Sequence, residues 1–514
     1  MKLISTVATN FINKGLRSKE FKLNKSSTKN AAPIKDDADT NSVASTASNN
    51  EVAFEPNVLF RSINDHQSNQ LKSFDLVASN SFVSNSVRSV MGSALMNSYC
   101  IGTPGARFYG GCSEIDDIEI MTKELTCELF GAKYCELQLL SGMLANIAAY
   151  HAMLSDIQAA GETPVVMASP AKNGGHYSHN KGGALTTLFR AKVVTTPWDP
   201  ATYNVDVTKL DASMAEHHPN LLIIGWSEML FDHDLPAIRK ICDKYGCKIL
   251  YDMSHVAGLI AGKQFQTDMM EYVDIVTSST GKSFHSADHG MILYNDPNLT
   301  PKIREAVMPI LTSNTHFHET AALCMTLLEM KYHGEEYAKQ VIANSKALGA
   351  ELTKRGFTIL CEPKGYSETH EVICSLHGLD GIDGPIMTGP EATRKLDRAN
   401  IRVNPQELPD DTPATGATAL RLGTQVLTRR GFKESDMATV AEGMYRALVA
   451  DTEGLESICY DVAKTAGRFQ NVHYSFDEST VTVPPSLFQE ETKADEPTYD
   501  TGSKGFKLFK GLKM

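Results

Sequence analysis

Two segments of this chain end in charged side chains that could serve one catalytic site. The apolar run KILYD ends at Asp252, and His255 follows three positions later. The next apolar segment, DIVTSS, leads through a turn rich in Ser, Thr and Gly to Lys282. This pairing suits pyridoxal phosphate (PLP), because a lysine can form a Schiff base with it and an acid can keep its pyridine nitrogen protonated. On these residues alone, a surface lysine and a strand-end aspartate in an ordinary α/β protein are the alternative.

The elements that must position these residues follow a regular alternation of short apolar segments and helical patterns. Such an alternation is typical of a mostly parallel sheet covered by helices. The predicted strands are KYCELQLL, TPVVMAS, AKVVTTP, NLLIIGWS, CKILYDM, DIVTSS and MILYN. The segments IEIMTKELTCELFGA, ANIAAYHAML and PAIRKICDKYG predict helices, and Gly246 ends the last of them.

The domain organisation is predicted from the points at which this alternation of strands and helices changes. After about residue 300 a long helical region leads to TILCEP, EVICSLH and NIRVNP, which indicates a second, smaller α+β domain. We therefore predict a disordered or targeting extension at 1–55, an N-terminal arm plus PLP-binding large domain at 56–330, a small domain at 331–465 and a tail at 466–514. The basic start of the extension leaves mitochondrial import as an alternative to a cytoplasmic location, and the basic tip KGFKLFKGLKM is either a solvated tail or a contact to a membrane or partner.

The composition narrows the function classes. The 514 residues include 49 basic and 61 acidic side chains, and this acidic balance argues against nucleic acid as the main partner. The ten cysteines form no CxxC pair, so neither a zinc site nor a disulfide framework is predicted, and no metal is expected. No apolar run reaches the ~20 residues that an integral membrane helix needs.

Several blocks of the sequence occur in the order found in the serine hydroxymethyltransferase family. They read FDLVASNSFVSNSV, NSYCIGTPGARFYGGCSEIDDIE, LLSGMLAN, NGGHYSHN, LYDMSHVAGLI, TSSTGKSF, RANIRVNP and ALRLGTQVLTRRGF. The chain therefore resembles this family over most of its length, residues 74–449. The resemblance implies PLP fold type I (aspartate-aminotransferase-like), with a mostly parallel seven-stranded sheet and a smaller C-terminal α+β domain. It also implies a small amino acid substrate and a homodimer or homotetramer with shared active sites.

The resemblance assigns cofactor roles block by block. Lys282 is implied to be the Schiff-base lysine, Asp252 the partner of the pyridine nitrogen, and His255 a donor to the phenolic oxygen of the cofactor or to a neighbouring polar group. His176 resembles the histidine that stacks on the ring, with an ordinary loop histidine as the alternative. Further cofactor contacts are implied for Ser141, Gly142, Ser227, Thr280 and Tyr99.

The substrate side is assigned in the same way. Arg421 resembles the arginine that grips the substrate α-carboxylate, since its planar fork matches two carboxylate oxygens. Ser79 resembles the hydroxyl that assists it. Tyr99 and Tyr109 resemble two active-site tyrosines, one reaching the phosphate across the dimer and the other the substrate, and Tyr109 is also a candidate catalytic residue.

The chain departs from the family pattern on the folate side. The family run tyrosine–alanine–glutamate–glycine is here YCIG, so Ile101 stands where a proton-handling glutamate is usual. The other departures are Gly281 in place of a histidine, the rebuilt run 284–289, Ser313 and Asn314 in place of a glycine pair, and Met143 in place of a serine.

These departures favour one hypothesis and leave three others open. The favoured one is a folate-independent PLP enzyme, of aldolase or transaldolase type, that acts at the Cα–Cβ bond of glycine-, serine- or threonine-like amino acids, with His176, His179 or a water as the base. The second is a genuine serine hydroxymethyltransferase that uses tetrahydrofolate. The third is another PLP reaction, such as decarboxylation, amino transfer or oxidation. The last is a pseudo-enzyme, which the presence of Lys282, Asp252, His176 and Arg421 disfavours.

Overall fold

The computed structural model describes residues 56–377, 387–450 and 454–476. Contacts divide the chain into a unit at 1–61 and a unit at 62–514. Of the first unit the structure describes residues 56–61, which are helical. The extension predicted at 1–55 and most of the tail predicted at 466–514 lie outside the described residues.

A seven-stranded sheet forms the centre of the larger unit. Its strands are β1 (Tyr134–Leu139), β2 (Val165–Ala168), β3 (Lys192–Thr195), β4 (Leu221–Ile224), β5 (Lys248–Asp252), β6 (Ile275–Ser279) and β7 (Gly290–Tyr294). They lie side by side in the order β1-β7-β6-β5-β4-β2-β3. The strands from β6 to β3 are parallel, and β7 is antiparallel to both of its neighbours. All seven predicted strands and the α/β fold class are confirmed.

Helices alternate with the strands, and several of them pack on the sheet and bury its apolar side chains. The longer helices are α1 (Pro56–Leu71), α2 (Asn85–Met91), α3 (Ser113–Phe130), α4 (Gly142–Ala159), α5 (Val207–His217), α6 (Leu235–Tyr245), α7 (Phe317–Thr353), α8 (Gly389–Arg398), α9 (Met437–Val449) and α10 (Gly454–Ala466). Shorter helical segments are Ala184–Leu188, Ala257–Ala261, Met269–Tyr272, Thr300–Glu305, Ala306–Leu311 and Gln425–Arg429. Helix α6 ends at Gly246, whose φ of 66° is a left-handed conformation that glycine adopts without strain, as predicted.

A second, antiparallel sheet follows the central one in the chain. Its strands are β8 (Thr358–Ile359), β9 (Glu371–Ser375), β10 (Asn404–Gln406) and β11 (Ala419–Gly423), in the spatial order β8-β9-β11-β10. This sheet packs against α7 and α8, and α9 and α10 pack on these helices and complete an apolar core of its own. The predicted domain boundary at residue 330 falls inside α7, which has 37 residues and runs on into this second part. The domain limits stay a prediction.

Three pairs of short strands complete the fold and tie its parts together. The pairs are Phe74–Asp75 with Ile401–Arg402, Gly102–Thr103 with Ala106–Arg107, and Trp198–Asp199 with Asn204–Val205. The first pair joins the segment after α1 to the second part of the chain, beside the strand that carries Arg421. In the part of the chain that the structure describes, every helix is too short or too polar to cross a bilayer.

Candidate active site

A cavity of about 220 Å³ lies at the carboxyl ends of the parallel strands. This edge collects side chains that are far apart in sequence, because each strand delivers its last residue there. The predicted residues that line the cavity are Ser141, Gly142, His176, Ser227, Asp252, His255 and Lys282. The other lining residues are Met143, Asn146, Tyr177, Gly225, Trp226, Ser254, Ser279 and Asp288.

Asp252 is a buried carboxylate with four polar contacts from three residues. Its Oδ1 accepts hydrogen bonds from the backbone N–H of Ser254 (3.1 Å) and the hydroxyl of the same residue (2.5 Å). Its Oδ2 accepts from the amide of Asn146 (3.0 Å) and lies 3.3 Å from Nε2 of His179. Burial raises the pKa of Asp252, but His179 and the Ser254 hydroxyl lower it more, so that the pKa is held well below its usual range. Asp252 is therefore ionised at neutral pH.

Behind Asp252, a buried tyrosine fixes the orientation of His179. Burial raises the pKa of Tyr150 far above its usual range, so its hydroxyl keeps the proton and donates to Nδ1 of His179. The opposite nitrogen, Nε2, then carries the proton that faces Asp252. Nδ1 of His179 is thus bonded to Tyr150, while Nε2 lies 3.3 Å from Asp252 without an aligned hydrogen bond. Of the two histidines predicted as a base, this one supports Asp252 instead.

Lys282 follows β6 and reaches the same cavity as Asp252. Its Nζ donates to the hydroxyl of Ser279. Burial lowers the pKa of Lys282 below that of a free lysine, while the carboxylates of Asp252 and Asp288 oppose this shift. A lowered pKa makes the uncharged, nucleophilic amine more accessible near neutral pH. Asp288 faces the cavity from the run 284–289, in which the sequence departs from the family.

His176 enters the cavity on a loop that only glycine allows. A Cβ added to Gly175 would collide with the carbonyl of Ser169, and Gly174 has a φ of 80°. The carbonyl of Gly174 accepts the backbone N–H of Ser227 (2.7 Å), which holds this loop beside β4. Burial lowers the pKa of His176 to about 4, so the imidazole is neutral at pH 7 and can accept a proton.

A similar backbone contact shapes the wall beside β4 and β5. Gly225 has a φ of 112°, and a Cβ at this position would collide with the backbone carbonyl of Asp252. On the opposite side, the first turn of α4 faces the cavity. Ser141 is the N-cap of α4 and accepts the N–H of Leu144 (3.3 Å), while Gly142 is packed directly against Ser279. The N-terminus of this 18-residue helix favours an anionic group.

Arg421 approaches the cavity from β11 in the second part of the chain. Its Nη1 donates to the carbonyl of Ser227, and its Nε donates to Oδ1 of Asn404 (3.4 Å). The Arg421 side chain is 11% exposed, so its charge is largely desolvated. Ser79 lies on the segment after the short strand Phe74–Asp75, which hydrogen-bonds to β11 through Gly423.

Besides Arg421 and Ser79, three more predicted residues do not line this cavity. The hydroxyl of Thr280 donates to the carbonyl of Ala287 (2.6 Å), so it holds the turn around the lysine. Tyr99 and Tyr109 are on the surface, 61% and 41% exposed, with their rings packed edge to face. Their predicted contacts with cofactor and substrate stay predictions.

Several positions at which the sequence departs from the family also lie outside the cavity lining. Ile101 is half-buried beside Tyr99, and its carbonyl accepts the N–H of Phe108 (2.9 Å). Asn314 accepts the N–H of Cys100 (3.1 Å) and so supports this segment. Two histidines of the run 284–289, His285 and His289, are fully buried.

Sequence reasoning missed four polar residues of this region. Asn146 and Ser254, which orient Asp252, both lie inside motifs already recognised, so the spacing to the matched residues was the available signal. The other two are buried glutamates near Arg421: Glu228 directly follows the matched Ser227, whereas Glu371 gave no such signal. Burial raises the pKa of each to about 8, with Arg421 opposing the shift.

The cavity fits PLP by the chemistry of its groups. It combines an ionised carboxylate, a lysine of lowered pKa, a neutral imidazole and the N-terminus of a long helix, as the ring nitrogen, the aldehyde, the ring face and the phosphate require. His255, whose Nδ1 is buried without an aligned hydrogen bond, adds a further polar group.

Comparison with known proteins agrees with this fit. The sequence model of the serine hydroxymethyltransferase family matches residues 53–444. The serine hydroxymethyltransferase of Methanocaldococcus jannaschii is 37% identical over 409 residues, which cover 79% of this chain and 92% of that protein. The enzyme of the same name from Methanocella arvoryzae is 38% identical over 407 residues, covering 79% and 92%. The one from Archaeoglobus fulgidus is 35% identical over 434 residues, covering 84% and 95%.

Proposed function

Since this chain belongs to the serine hydroxymethyltransferase family of PLP-dependent transferases, we propose that it makes or breaks the Cα–Cβ bond of glycine-, serine- or threonine-like amino acids without folate. The chain is a PLP enzyme of fold type I that acts on serine or glycine. The finer proposal is an aldol or retro-aldol reaction, of aldolase or transaldolase type. The observation that carries it is the apolar side chain of Ile101 at the position of the family glutamate.

The cofactor would be held by the residues that surround the cavity. Lys282 would bind it covalently, Asp252 would pair with its ring nitrogen, and His176 would lie against its ring. Ser141 and Gly142 at the start of α4 would receive its phosphate. When bound, PLP withdraws electrons from the Cα atom of an attached amino acid.

Arg421 would orient the amino acid by its α-carboxylate. The guanidinium is held by the Ser227 carbonyl and is mostly shielded from water, so a carboxylate would bind it with little competition from solvent. Ser227 also lines the cavity, which places the Arg421 contact next to the region where the cofactor fits. This arrangement supports recognition of α-amino acids in preference to simple amines.

Cleavage or formation of the Cα–Cβ bond also needs a group that moves the proton of the β-hydroxyl. His176 lines the cavity and is neutral at pH 7, so it is our candidate for this base. His179, the second histidine considered, does not line the cavity, and its Nδ1 is bonded to Tyr150 while its Nε2 faces Asp252 at 3.3 Å. A water bound beside His176 is the alternative.

No free acid is found near Ile101 among the described residues that could transfer a proton at a folate nitrogen. The acids that contact the hairpin after Ile101 are Asp116 and Glu119, and both are paired with Arg107 at 2.6 Å. Ile101 itself cannot exchange protons. The loss of a positioned acid or base typically lowers a rate by ~10²–10⁴-fold, so folate-dependent transfer would be slow in this protein.

The test compares serine with a β-hydroxy amino acid of larger side chain, each with and without tetrahydrofolate. We expect the larger substrate to yield glycine and an aldehyde without folate, and serine to react slowly in both conditions. Ile101→Glu is expected to raise the folate-dependent rate. Ile101→Gln introduces a side chain of the same shape as glutamate but without an acid, so it is not expected to raise this rate. Robust folate-dependent cleavage of serine by the unmodified protein would contradict the proposal.

That outcome would favour the second candidate, a genuine serine hydroxymethyltransferase, which the relatives' names support. The two candidates predict opposite responses of the unmodified protein to folate. Measuring serine cleavage by the unmodified protein, with and without tetrahydrofolate, therefore decides between them before any variant is made.

Family enzymes are oligomeric, and we propose a homodimer or homotetramer with shared active sites, in which Tyr99 reaches the phosphate across the dimer and Tyr109 contacts the substrate. The support is an exposed aromatic cluster, in which Phe108 is 80% exposed beside Tyr109. An apolar cavity of about 580 Å³ near these residues is lined by Leu95, Ile118 and Met325 among others. Sedimentation should therefore show a species of at least two chains, and Tyr109→Ala should lower turnover without loss of folding.

A further inference from the structure

Glu371 is a fully buried carboxyl group beside the candidate active site. It is the first residue of β9, and the accessible fraction of its surface is 0%. Its Oε2 accepts the backbone N–H of Met229 (2.8 Å), which lies two residues after Ser227. The expected cofactor and substrate contacts do not use this glutamate.

The other oxygen, Oε1, faces three basic side chains. It lies 3.2 Å from Nδ1 of His255, 3.8 Å from Nε2 of His370 and 3.9 Å from Nη1 of Arg421. Oε1 and the His255 Nδ1 atom make no aligned hydrogen bond to any described residue. At 3.2 Å, a small rotation of either side chain aligns them, so each is the natural partner of the other.

A metal ion is a poor occupant of this cluster. The ligand atoms of His255, His370 and Glu371 lie within 4.8 Å of one another, which is a spacing that a metal ion could bridge. However, the Arg421 guanidinium stands 3.9 Å from the carboxyl and would repel a divalent cation. His370 also directs Nε2 at the carbonyl of Ala78 (3.2 Å). A hydrogen bond between Glu371 and His255 explains the geometry without placing a cation beside Arg421.

The charge state of the pair follows from its burial. Burial raises the pKa of Glu371 to about 8, against the opposing charges of Arg421 and Lys282. Burial also lowers the pKa of His255 well below its usual range, and Arg421, Lys282, His370 and His176 add to this. At neutral pH a neutral carboxyl therefore faces a neutral imidazole.

The position of the two protons follows from the hydrogen bonds. Oε2 of Glu371 already accepts from a backbone N–H, so the carboxyl proton belongs on Oε1, which faces Nδ1 of His255. Nδ1 must then be the acceptor of the ring, and the single ring proton must sit on Nε2. Of these residues His255 lines the cavity, whereas Glu371 stands behind it.

From this geometry we infer that Glu371 is a positioning residue that fixes the tautomer of His255, so that Nε2 presents an N–H donor on the side of the cavity. Loss of one proton to solvent converts Glu371 to a carboxylate. The remaining proton of the pair then sits on Nδ1 and is donated to Glu371, and Nε2 becomes an acceptor. The inference rests on the proposed function only in that the cavity holds PLP.

The test is a pH titration of the visible absorbance of the resting holoenzyme without any amino acid. We expect the wild-type protein to show a transition near pH 8, since the group facing the cofactor changes from donor to acceptor there. Glu371→Gln can still donate to Nδ1 but cannot ionise, so it should keep the neutral-pH spectrum and lose this transition. Glu371→Leu should alter the spectrum at every pH.

The matched control is Glu228→Gln. Glu228 is 2% exposed, its pKa is likewise raised to about 8 by burial, and it feels the charges of Arg421 and Glu371, but no ion pair or hydrogen bond joins it to His255 among the described residues. This variant should keep the transition and move it by less than about one pH unit, because the two carboxyl groups feel each other's charge, whereas Glu371→Gln should remove the transition. A loss of the transition in both variants would overturn the role of His255.

A second variant keeps the inference testable if Glu371→Gln does not fold. His255→Asn, with Glu371 intact, should remove the same transition, and the two substitutions together should have no more effect than either alone. A transition that persists in His255→Asn, or that the wild-type protein lacks, would overturn the inference. A protein without visible absorbance in the presence of PLP would overturn the cofactor assignment and this inference together. The nature of the catalysed reaction does not enter any of these readouts.

Discussion

Replacement of Arg421 by alanine should weaken the binding of every α-amino acid while leaving the resting protein intact. Removal of one partner of a desolvated charge pair costs about 3–5 kcal/mol, which corresponds to ~100- to 4,000-fold in the dissociation constant. The 11% exposure of the Arg421 side chain places it in this desolvated class. We expect losses in the upper part of this range for small substrates, because the carboxylate is the main polar group through which they can bind.

The fold should tolerate this substitution because the neighbouring acids need no counter-charge. Glu371 and Glu228 lie near Arg421, and burial raises the pKa of each to about 8, so both are uncharged at neutral pH. Loss of the arginine raises these pKa values further and leaves the carboxyls neutral. The visible absorbance and the thermal midpoint of Arg421→Ala should therefore stay close to wild type.

The assay titrates holoenzyme with glycine, serine and a matched amine that lacks the carboxylate, and follows the change in visible absorbance. The amine should lose less than about tenfold in affinity, which is under 1.4 kcal/mol. Arg421→Lys keeps the charge but not the planar fork, so its affinity for amino acids should fall between the other two. Equal losses for amino acids and the amine would mean that Arg421 supports the fold and does not hold the substrate.

The other predictions concern the lysine, the support of Asp252 and stability. Lys282→Ala should abolish turnover and the visible band of the resting protein, and covalent fixation of PLP to this variant by borohydride would refute the assignment, because it would require a Schiff base with another lysine. Tyr150→Phe leaves Nδ1 of His179 unpaired in a buried site and should lower the free energy of unfolding by about 1–3 kcal/mol in urea denaturation. Glu371 and Glu228 bind their protons more tightly in the folded protein than in the unfolded chain, because burial raises the pKa of each from 4.5 to about 8. The stability that they contribute is therefore complete below pH 4.5. It falls as the pH rises toward about 8, by about 1.4 kcal/mol per pH unit for each residue. Urea unfolding across this window should show a shallower decline when both are changed to glutamine, and an unchanged slope would refute the raised pKa values.

The sequence was sufficient for the sheet because each strand has a strong local signal. All seven predicted segments are strands, and the spacing of the Asp252 and Lys282 motifs was enough to bring both to one edge, since β5 and β6 are parallel neighbours. The helix stop at Gly246 was equally local. In these cases the chemistry of a few adjacent residues decides the structure, whatever the rest of the chain does.

Other parts of the site depend on contacts that sequence spacing does not encode. Asn146 orients Asp252 across 106 positions of the chain, and Glu371 reaches His255 from the second sheet. Thr280 lies two residues before the lysine, yet its hydroxyl turns toward the carbonyl of Ala287. Which way a polar side chain turns is decided by the packing of distant segments, and a single sequence gives no direct signal of it.

The glycine-rich walls of the cavity determine how this protein could acquire a new specificity. Gly175 and Gly225 bring bare backbone against the carbonyls of Ser169 and Asp252, so no larger residue fits there without displacing a main chain. The shape of that wall is consequently closed to stepwise mutation. Variation in substrate range would have to arise at positions such as Tyr177, an exposed side chain that lines the cavity. A mutant library confined to such positions would sample viable enzymes far more densely than one that includes the glycines.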